Sequence, residues 1–167
     1  MDAGARFERE RRRNLLAPPG PRELILVLDH LKPGFNVAKI FRSAQAFGLR
    51  ELHLIGIGPF DPAPAKGAMR AVPARFFDTF GESMQRLAAA DYAVYRMVAG
   101  DAPPLQRFRL PRRCALVVGH EEFGLSAEAE SLPALTIAQW GRVQSLNVSI
   151  AASIAMYEYC RQYEGPE

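Results

Sequence analysis

Apolar residues in this chain form short continuous runs. The runs cover residues 23–28, 51–55, 92–98 and 114–118, with a shorter one at 135–137. Continuous apolar runs of this length are typical of parallel strands that are buried on both faces. The pattern therefore predicts five strands of a mostly parallel sheet.

Between the runs, apolar positions recur at the three- and four-residue spacing of a helix with one buried face. This spacing predicts helices over residues 36–47, 83–90 and 145–163. Strand, helix and strand in succession indicate a right-handed crossover unit. The sequence thus predicts an α/β domain, a mostly parallel sheet flanked by helices, over residues 21–167.

The first 20 residues have a different character. We expect them to form a basic arm, helical as far as Arg13, which ends at a cluster of prolines that cannot continue a helix. Arginine has a flat, forked set of donors that fits phosphate oxygens in pairs, so the arm is a candidate RNA-binding element. The alternative is a solvated charged surface. The candidate contacts are Arg9, Arg11, Arg12 and Arg13.

Composition narrows the class of protein. The chain has 167 residues, 49% hydrophobic and 23% charged, with a net charge of +3, which is ordinary for one soluble domain. No apolar run is long enough to span a bilayer, and the N-terminus lacks the apolar core of a signal peptide, so we expect a cytoplasmic protein. Two cysteines and three scattered histidines predict neither a disulfide framework nor a metal site.

Three segments carry candidate chemistry. The first runs from Asn36, at a predicted helix start, to Arg42; an asparagine there is usually a helix cap. The second, 119–126, follows a buried strand at the point where α/β proteins bind ligands, although a tight turn before a short helix would look the same. The third, 141–152, places Ser145 and Asn147 at the entrance to the last helix.

In this order and spacing the three segments resemble the signatures of the SpoU/TrmH branch of the SPOUT methyltransferases. Those signatures are Asn-x5-Arg, Gly-x-Glu-x2-Gly-Leu and Ser-Leu-Asn-Val-Ser, and the last, at 145–149, is the most specific. The likeness extends from about Leu24 to Tyr159. The resemblance implies an α/β domain with a C-terminal deep trefoil knot and a homodimer that uses the first and last helices.

The resemblance also implies 2′-O-ribose methylation of structured RNA with S-adenosylmethionine and without a metal. The knot would form the cofactor pocket, which we expect to be lined by Val118, Gly119, Gly124, Ile137 and Leu146. The catalytic positions of the family fall on Asn36, Arg42, Glu121, Ser145 and Asn147. Because a guanidinium stays charged at neutral pH, we expect Arg42 to hold the neighbouring phosphate of the RNA and to stabilise the developing oxyanion.

This chain departs from the family pattern before the third segment. Ala138, Gln139 and Trp140 stand where a proline and a methionine often precede the glycine, so the rim of the adenosine pocket is expected to differ and Trp140 is a candidate to pack there. Ala38 replaces a usual glycine. The compact size and Gln144, as in the transfer-RNA members, favour tRNA over ribosomal RNA as substrate.

The sequence is also compatible with two other functions. One is a non-catalytic RNA-binding or assembly protein on the same fold, which the retained polar positions disfavour. The other is a Rossmann-type nucleotide enzyme. A glycine-rich turn normally follows the first strand of such an enzyme, whereas here Asp29 and His30 follow Leu28.

Overall fold

Residues 2–164, which the computed structural model describes, build a six-stranded sheet with helices on both faces. The strands are β1 (Arg22–Asp29), β2 (Leu49–Ile55), β3 (Ala74–Phe77), β4 (Ala93–Val98), β5 (Cys114–Gly119) and β6 (Ala134–Thr136). The helices are α1 (Ala3–Asn14), α2 (Phe35–Ala46), α3 (Phe80–Ala89) and α4 (Val148–Gln162). The strand order is β3-β2-β1-β5-β4-β6, and every pair is parallel. The predicted α/β class is confirmed.

Strand β1 shows why its sequence is apolar throughout. Leu24, Leu26 and Leu28 enter the core beneath α1, α2 and α4, whereas Ile25 and Val27 enter a second core beneath α3. Successive side chains of a strand point to opposite faces of the sheet. A central strand that is covered on both faces therefore needs apolar residues at odd and even positions alike.

Helix α1 is part of the folded body. Phe7 is 2% exposed, and its ring lies 5.1 Å from that of Phe60 and 6.1 Å from that of Phe76. Asn14, also buried, donates to the carbonyl oxygens of Met69 and Val72 and accepts from the backbone N–H of residue 74. One face of the predicted arm is thus fixed against the sheet, and its arginines lie on the other face.

Two differences from the sequence prediction concern one edge strand and the start of the last helix. Strand β3 was not predicted; among residues 2–164 it pairs only with β2, at the edge of the sheet, where its four residues are partly exposed. Helix α4 begins at Val148 instead of residue 145, because the Asn147 side chain accepts from the N–H of Ser149 and caps the helix there. The third segment therefore enters the site mainly as irregular chain.

The carboxyl ends of β1 and β5 are joined by a buried carboxylate. Asp29 is opposite Gly119 in the sheet register, and its Oδ2 accepts from the N–H of Ser126 at 2.8 Å. This bond holds the loop after β5 over the edge of the sheet. Among residues 2–164, no helix has the length and apolar character needed to cross a membrane.

Candidate active site

A cleft of about 760 Å³ opens at the carboxyl ends of β4, β5 and β6. Most of its lining comes from residues 96–99, 118–125, 137, 139 and 144–148, and the volume is that of a small-molecule site. The residues predicted to bind the cofactor all line it, namely Val118, Gly119, Gly124, Ile137 and Leu146.

The loop after β5 forms a tight hairpin along one wall of the cleft. The backbones of His120 and Gly124 bond to each other in both directions, at 2.8 and 2.9 Å. Gly124 has a φ of +71°, a conformation that favours glycine. A Cβ on Gly119 would lie 2.5 Å from a backbone atom of Gly124. Both glycines are therefore needed for the chain to fold back on itself here.

Three side chains, one from each of the three segments, meet at the mouth of the cleft. The Asn36 amide donates to Glu121 Oε1 at 3.0 Å, and its carbonyl oxygen accepts from the Asn147 amide at 3.2 Å. Asn147 in turn accepts from the backbone and hydroxyl of Ser149. Asn36 thus links the loop after β5 to the start of α4.

The role expected for Asn36 as a helix cap is wrong. Helix α2 begins at Phe35, and its cap position is Gly34, which has no side chain to offer. Asn36 therefore lies inside the first turn, with its amide free to reach across to Glu121 and Asn147.

Glu121 is held as a carboxylate. Burial raises the pKa of Glu121, but the hydrogen bonds from the Asn36 amide and from backbone N–H groups, that of Lys32 among them at 3.1 Å, outweigh burial and lower the pKa below its ordinary value. At neutral pH this side chain accepts hydrogen bonds and has no proton to donate.

The other two predicted catalytic residues, Ser145 and Arg42, lie in different places. Ser145 lines the cleft. Arg42 is exposed on α2 and, within residues 2–164, makes no hydrogen bond or ion pair. It lies six residues after Asn36, which corresponds to a rise of about 9 Å along the helix. The structure thus brings Glu121, Ser145 and Asn147 into the lining of the cleft, places Asn36 at its mouth, and leaves the Arg42 guanidinium available to a ligand from outside.

Gln139 belongs to the cleft and was not among the predicted site residues. It lines the cleft, and its Oε1 atom is buried without a hydrogen-bond partner in the part of the chain that the structure describes. An unsatisfied buried acceptor is costly, so a ligand N–H here would relieve it. An apolar floor with such an acceptor suits the adenosine part of S-adenosylmethionine. Trp140, the candidate for that rim, is 92% exposed and does not line the cleft.

Known proteins resemble this chain in sequence and in fold. A family model described as the SpoU rRNA Methylase family matches residues 23–157. A tRNA (guanosine(18)-2′-O)-methyltransferase of Thermus thermophilus is 30% identical over 84% of this chain and 75% of its own length. The chain spans 75% of the length of this relative and 38% of the length of another, an uncharacterised tRNA/rRNA methyltransferase of Synechocystis.

Solved structures agree. One, described as "Structural insights into the 2-OH methylation of C/U34 on tRNA", is 30% identical, with a TM-score of 0.75 over 88% of this chain and 100% of that one. The SpoU methyltransferase AviRb of Streptomyces viridochromogenes, in complex with AdoMet, has a TM-score of 0.81 at 24% identity, over 92% of this chain and 63% of that one. Since the family model covers well over half of the chain and its signatures surround one cleft, this chain belongs to the SpoU rRNA methylase family.

Proposed function

We propose that the chain methylates the 2′-hydroxyl of a ribose in structured RNA, with S-adenosylmethionine as methyl donor. The observation that carries the proposal is the Asn36 bridge, which joins all three family segments at the mouth of one cleft. Family membership and the names of the relatives support the same reaction.

The cleft residues fit the cofactor. Val118, Ile137 and Leu146 would cover its apolar parts, and Gln139 Oε1 would accept from one of its N–H groups. When bound, the cofactor supplies a methyl group that is activated by the positive charge on sulfur. Gly119 and Gly124 allow the hairpin to close beside it, and both line this wall of the cleft.

Arg42 and the bridge act on the RNA. The guanidinium would hold the phosphate next to the target ribose and stabilise the charge that develops on the 2′-oxygen, while the hydroxyl proton leaves to that phosphate or to water. Glu121 and Asn147 fix the Asn36 amide from both sides, and Ser145 adds a hydroxyl to the cleft wall. The protein thus contributes orientation and electrostatic stabilisation.

The trefoil knot and the homodimer are part of this proposal. Residues 144–148 and the loop after β5 line the same cleft, which is what a C-terminal segment threaded through an earlier loop would produce. A dimer would use α4 and α2, the first helix of the domain 21–167. Both helices expose large apolar side chains, namely Phe35, Ile150 and Tyr157.

Transfer RNA is the favoured substrate. Two of the relatives named above are described as acting on tRNA, and Gln144 resembles the residue of the transfer-RNA members at this position. Ribosomal RNA is the second candidate, because the family description names it. A non-catalytic RNA-binding protein is disfavoured by the cleft and by the complete Asn36 bridge.

The test is nucleoside mass spectrometry of unmodified tRNA and rRNA after incubation with S-adenosylmethionine. We expect a 2′-O-methylnucleoside in one RNA class, and a loss of about 100-fold or more in Arg42→Ala, the order of effect seen when one oxyanion donor is removed. Arg107→Ala serves as the control, because Arg107 is an exposed arginine of a second basic stretch, residues 107–113.

Arg42→Lys separates the possible roles of the side chain. A lysine keeps the charge but loses the fork, so we expect it to restore little activity. If it kept most of the activity, a strict geometric role for the guanidinium would be wrong. If the wild-type chain neither methylates RNA nor binds the cofactor in calorimetry, the non-catalytic function takes first place.

A further inference from the structure

An exposed aromatic side chain lies at the rim of the cleft with a second ring behind it. Phe123 is 77% exposed, and its ring centroid lies 4.8 Å from that of His120, with 31° between the planes. Both residues line the cleft. A large apolar ring left in water beside a functional site is a candidate contact for a ligand with a flat face.

The turn that carries the two rings is fixed by hydrogen bonds. His120 Nδ1 accepts from the backbone N–H groups of Glu122 and Phe123, at 3.0 and 3.2 Å. The turn is closed by the reciprocal backbone bonds of His120 and Gly124, and Asp29 anchors the chain that follows it. Because the turn is already ordered, little conformational entropy would be lost when a ligand stacks on it.

The pair is also next to the place where the target ribose must lie. Glu121 stands between His120 and Phe123 in the chain, and its carboxylate holds Asn36 at the mouth of the cleft. The apolar floor that suits the cofactor is formed by Val118, Ile137 and Leu146, which are buried or half-buried. Phe123 thus stands at the exposed rim of the cleft, on the same hairpin as Glu121.

We infer that Phe123, backed by His120, stacks on the base of the nucleotide whose ribose is methylated. This inference rests on the proposed function, because it places the ribose beside Asn36 and Glu121. Stacking on an aromatic face accepts any base, since every base has a π-face. Phe123 is therefore a positioning residue that holds the nucleotide while the groups around Asn36 act on its sugar.

Tryptophan fluorescence tests the contact directly. The wild-type chain has one tryptophan, Trp140, so the double variant Trp140→Phe with Phe123→Trp carries a single reporter on the hairpin. Unmodified tRNA transcripts and S-adenosylhomocysteine are added separately and together. The wild-type chain is the control, because its single tryptophan, Trp140, does not line the cleft. We expect saturable quenching of the hairpin reporter by RNA and no change with S-adenosylhomocysteine alone.

Other results would overturn the inference. Quenching by S-adenosylhomocysteine alone would place the ring on the cofactor. A blue-shifted emission that depends on protein concentration without RNA would place it against a second copy of the chain. An unchanged spectrum with transcripts that bind in a filter assay would exclude a stacked base.

Kinetics separates this inference from the proposed function. We expect Phe123→Ala to raise the KM for RNA or lower kcat, with kcat/KM reduced about ten-fold or more, while Phe123→Trp keeps near wild-type values. Affinity for S-adenosylhomocysteine should stay within two-fold (about 0.4 kcal/mol) in both variants. If wild type forms no 2′-O-methylnucleoside, both ideas fail together; if wild type is active and Phe123→Ala equals it, only the stacking is wrong.

Discussion

At the scale of single residues, Asn36 shows how a side chain with an ordinary local explanation acquires a role from the fold. Its two partners, Glu121 and Asn147, are 85 and 111 positions away in the chain. No local pattern can indicate such a bond, because helix spacing reports only on neighbours within a few residues. Only the resemblance of all three segments to one family indicated that Asn36, Glu121 and Asn147 belong to the same site.

The bridge predicts a specific effect of changing Asn36. Asn36→Asp keeps an acceptor for Asn147 but places a second carboxylate against Glu121 and removes the donor, so the two acids repel each other. We expect kcat to fall about 100-fold, and the affinity for S-adenosylhomocysteine to change little, because Asn36 does not line the cleft. Steady-state kinetics and calorimetry measure the two quantities.

Gln45→Ala is the matched control for this experiment. Gln45 is an exposed amide side chain on the same helix, three residues beyond Arg42. Its removal should leave both quantities unchanged. Wild-type kcat in Asn36→Asp would show that the bridge has no part in the reaction.

At the scale of elements, continuous apolar runs predicted the strand positions best. Strands β1, β2, β4 and β5 were predicted to within about two residues: β1, β2 and β5 are largely buried, and β4 is half-buried along its length. Strand β3, with the sequence Ala-Arg-Phe-Phe, was not predictable in this way: at the edge of the sheet it needs only one partner and keeps an arginine in solvent. The strand order also lay beyond sequence patterns, because it depends on which strand each crossover returns to.

Because helix α1 packs against the sheet, RNA binding by its arginines cannot be tested by deleting the helix. The sequence contains only a weak indication that one face of α1 is buried. The buried residues Phe7, Glu10 and Asn14 recur at helical spacing, but they stand among many charged residues. Deleting residues 1–20 would expose Phe60 and Phe76 in the core, so a truncation would confuse lost RNA contacts with lost stability. Single substitutions on the outer face avoid this problem.

Arg12 is the best position for such a test. Arg9, Arg11 and Arg13 pair with Glu8 or Glu10 at 3.4–3.9 Å, whereas Arg12 makes no such pair within residues 2–164. If Arg12 contacts a phosphate, Arg12→Gln should lower the slope of log K for RNA against log salt by about 1, and weaken binding at low salt. Filter binding at several salt concentrations measures the slope.

Arg107→Gln makes the same change of charge on the second basic stretch and controls for net charge. If the slope of log K for RNA against log salt were equal in the two variants, α1 would contribute to RNA binding only through its net charge, without a direct phosphate contact. A slope for Arg12→Gln equal to that of wild type would mean that Arg12 contacts no phosphate.

At the scale of the whole molecule, the two faces of the sheet serve different purposes. The face under α1, α2 and α4 is apolar and supports the cleft, whereas the face under α3 contains a buried polar cluster. His53, fully buried on β2, contacts Ser83 of α3 at 2.8 Å and Glu51 at 3.0 Å. Glu51 also pairs with Arg75 and Arg86 at 3.2 and 3.3 Å. The cluster therefore ties α3 and the edge strand β3 to β2, and none of its residues lines the cleft.

This cluster makes stability depend on pH. A neutral His53 satisfies both partners, donating from Nε2 to Glu51 and accepting at Nδ1 from the Ser83 hydroxyl. Burial lowers the pKa of His53; the hydrogen bond to Glu51 opposes this, but the charges of Arg86 and Arg75 add to it, and the pKa lies below 6.5. Below pH 6.5 the unfolded chain therefore binds a proton that the folded chain does not. The free energy of unfolding should be highest above that pH, and His53 should reduce it as the pH falls, by at most about 1.4 kcal/mol per pH unit.

Urea unfolding between pH 7.5 and 5.5 measures this effect and keeps it apart from that of Glu51. Burial raises the pKa of Glu51, but hydrogen bonds from His53 and Arg86 outweigh burial and hold it well below 4.5, so its contribution is lost only at more acid pH. His53→Gln, which can keep both hydrogen bonds, should flatten the pH dependence in this window, whereas Ser83→Ala should be less stable by about 1–3 kcal/mol and keep the dependence. A His53→Gln variant with the wild-type slope would assign the pH dependence to other groups and leave this cluster a purely structural tie.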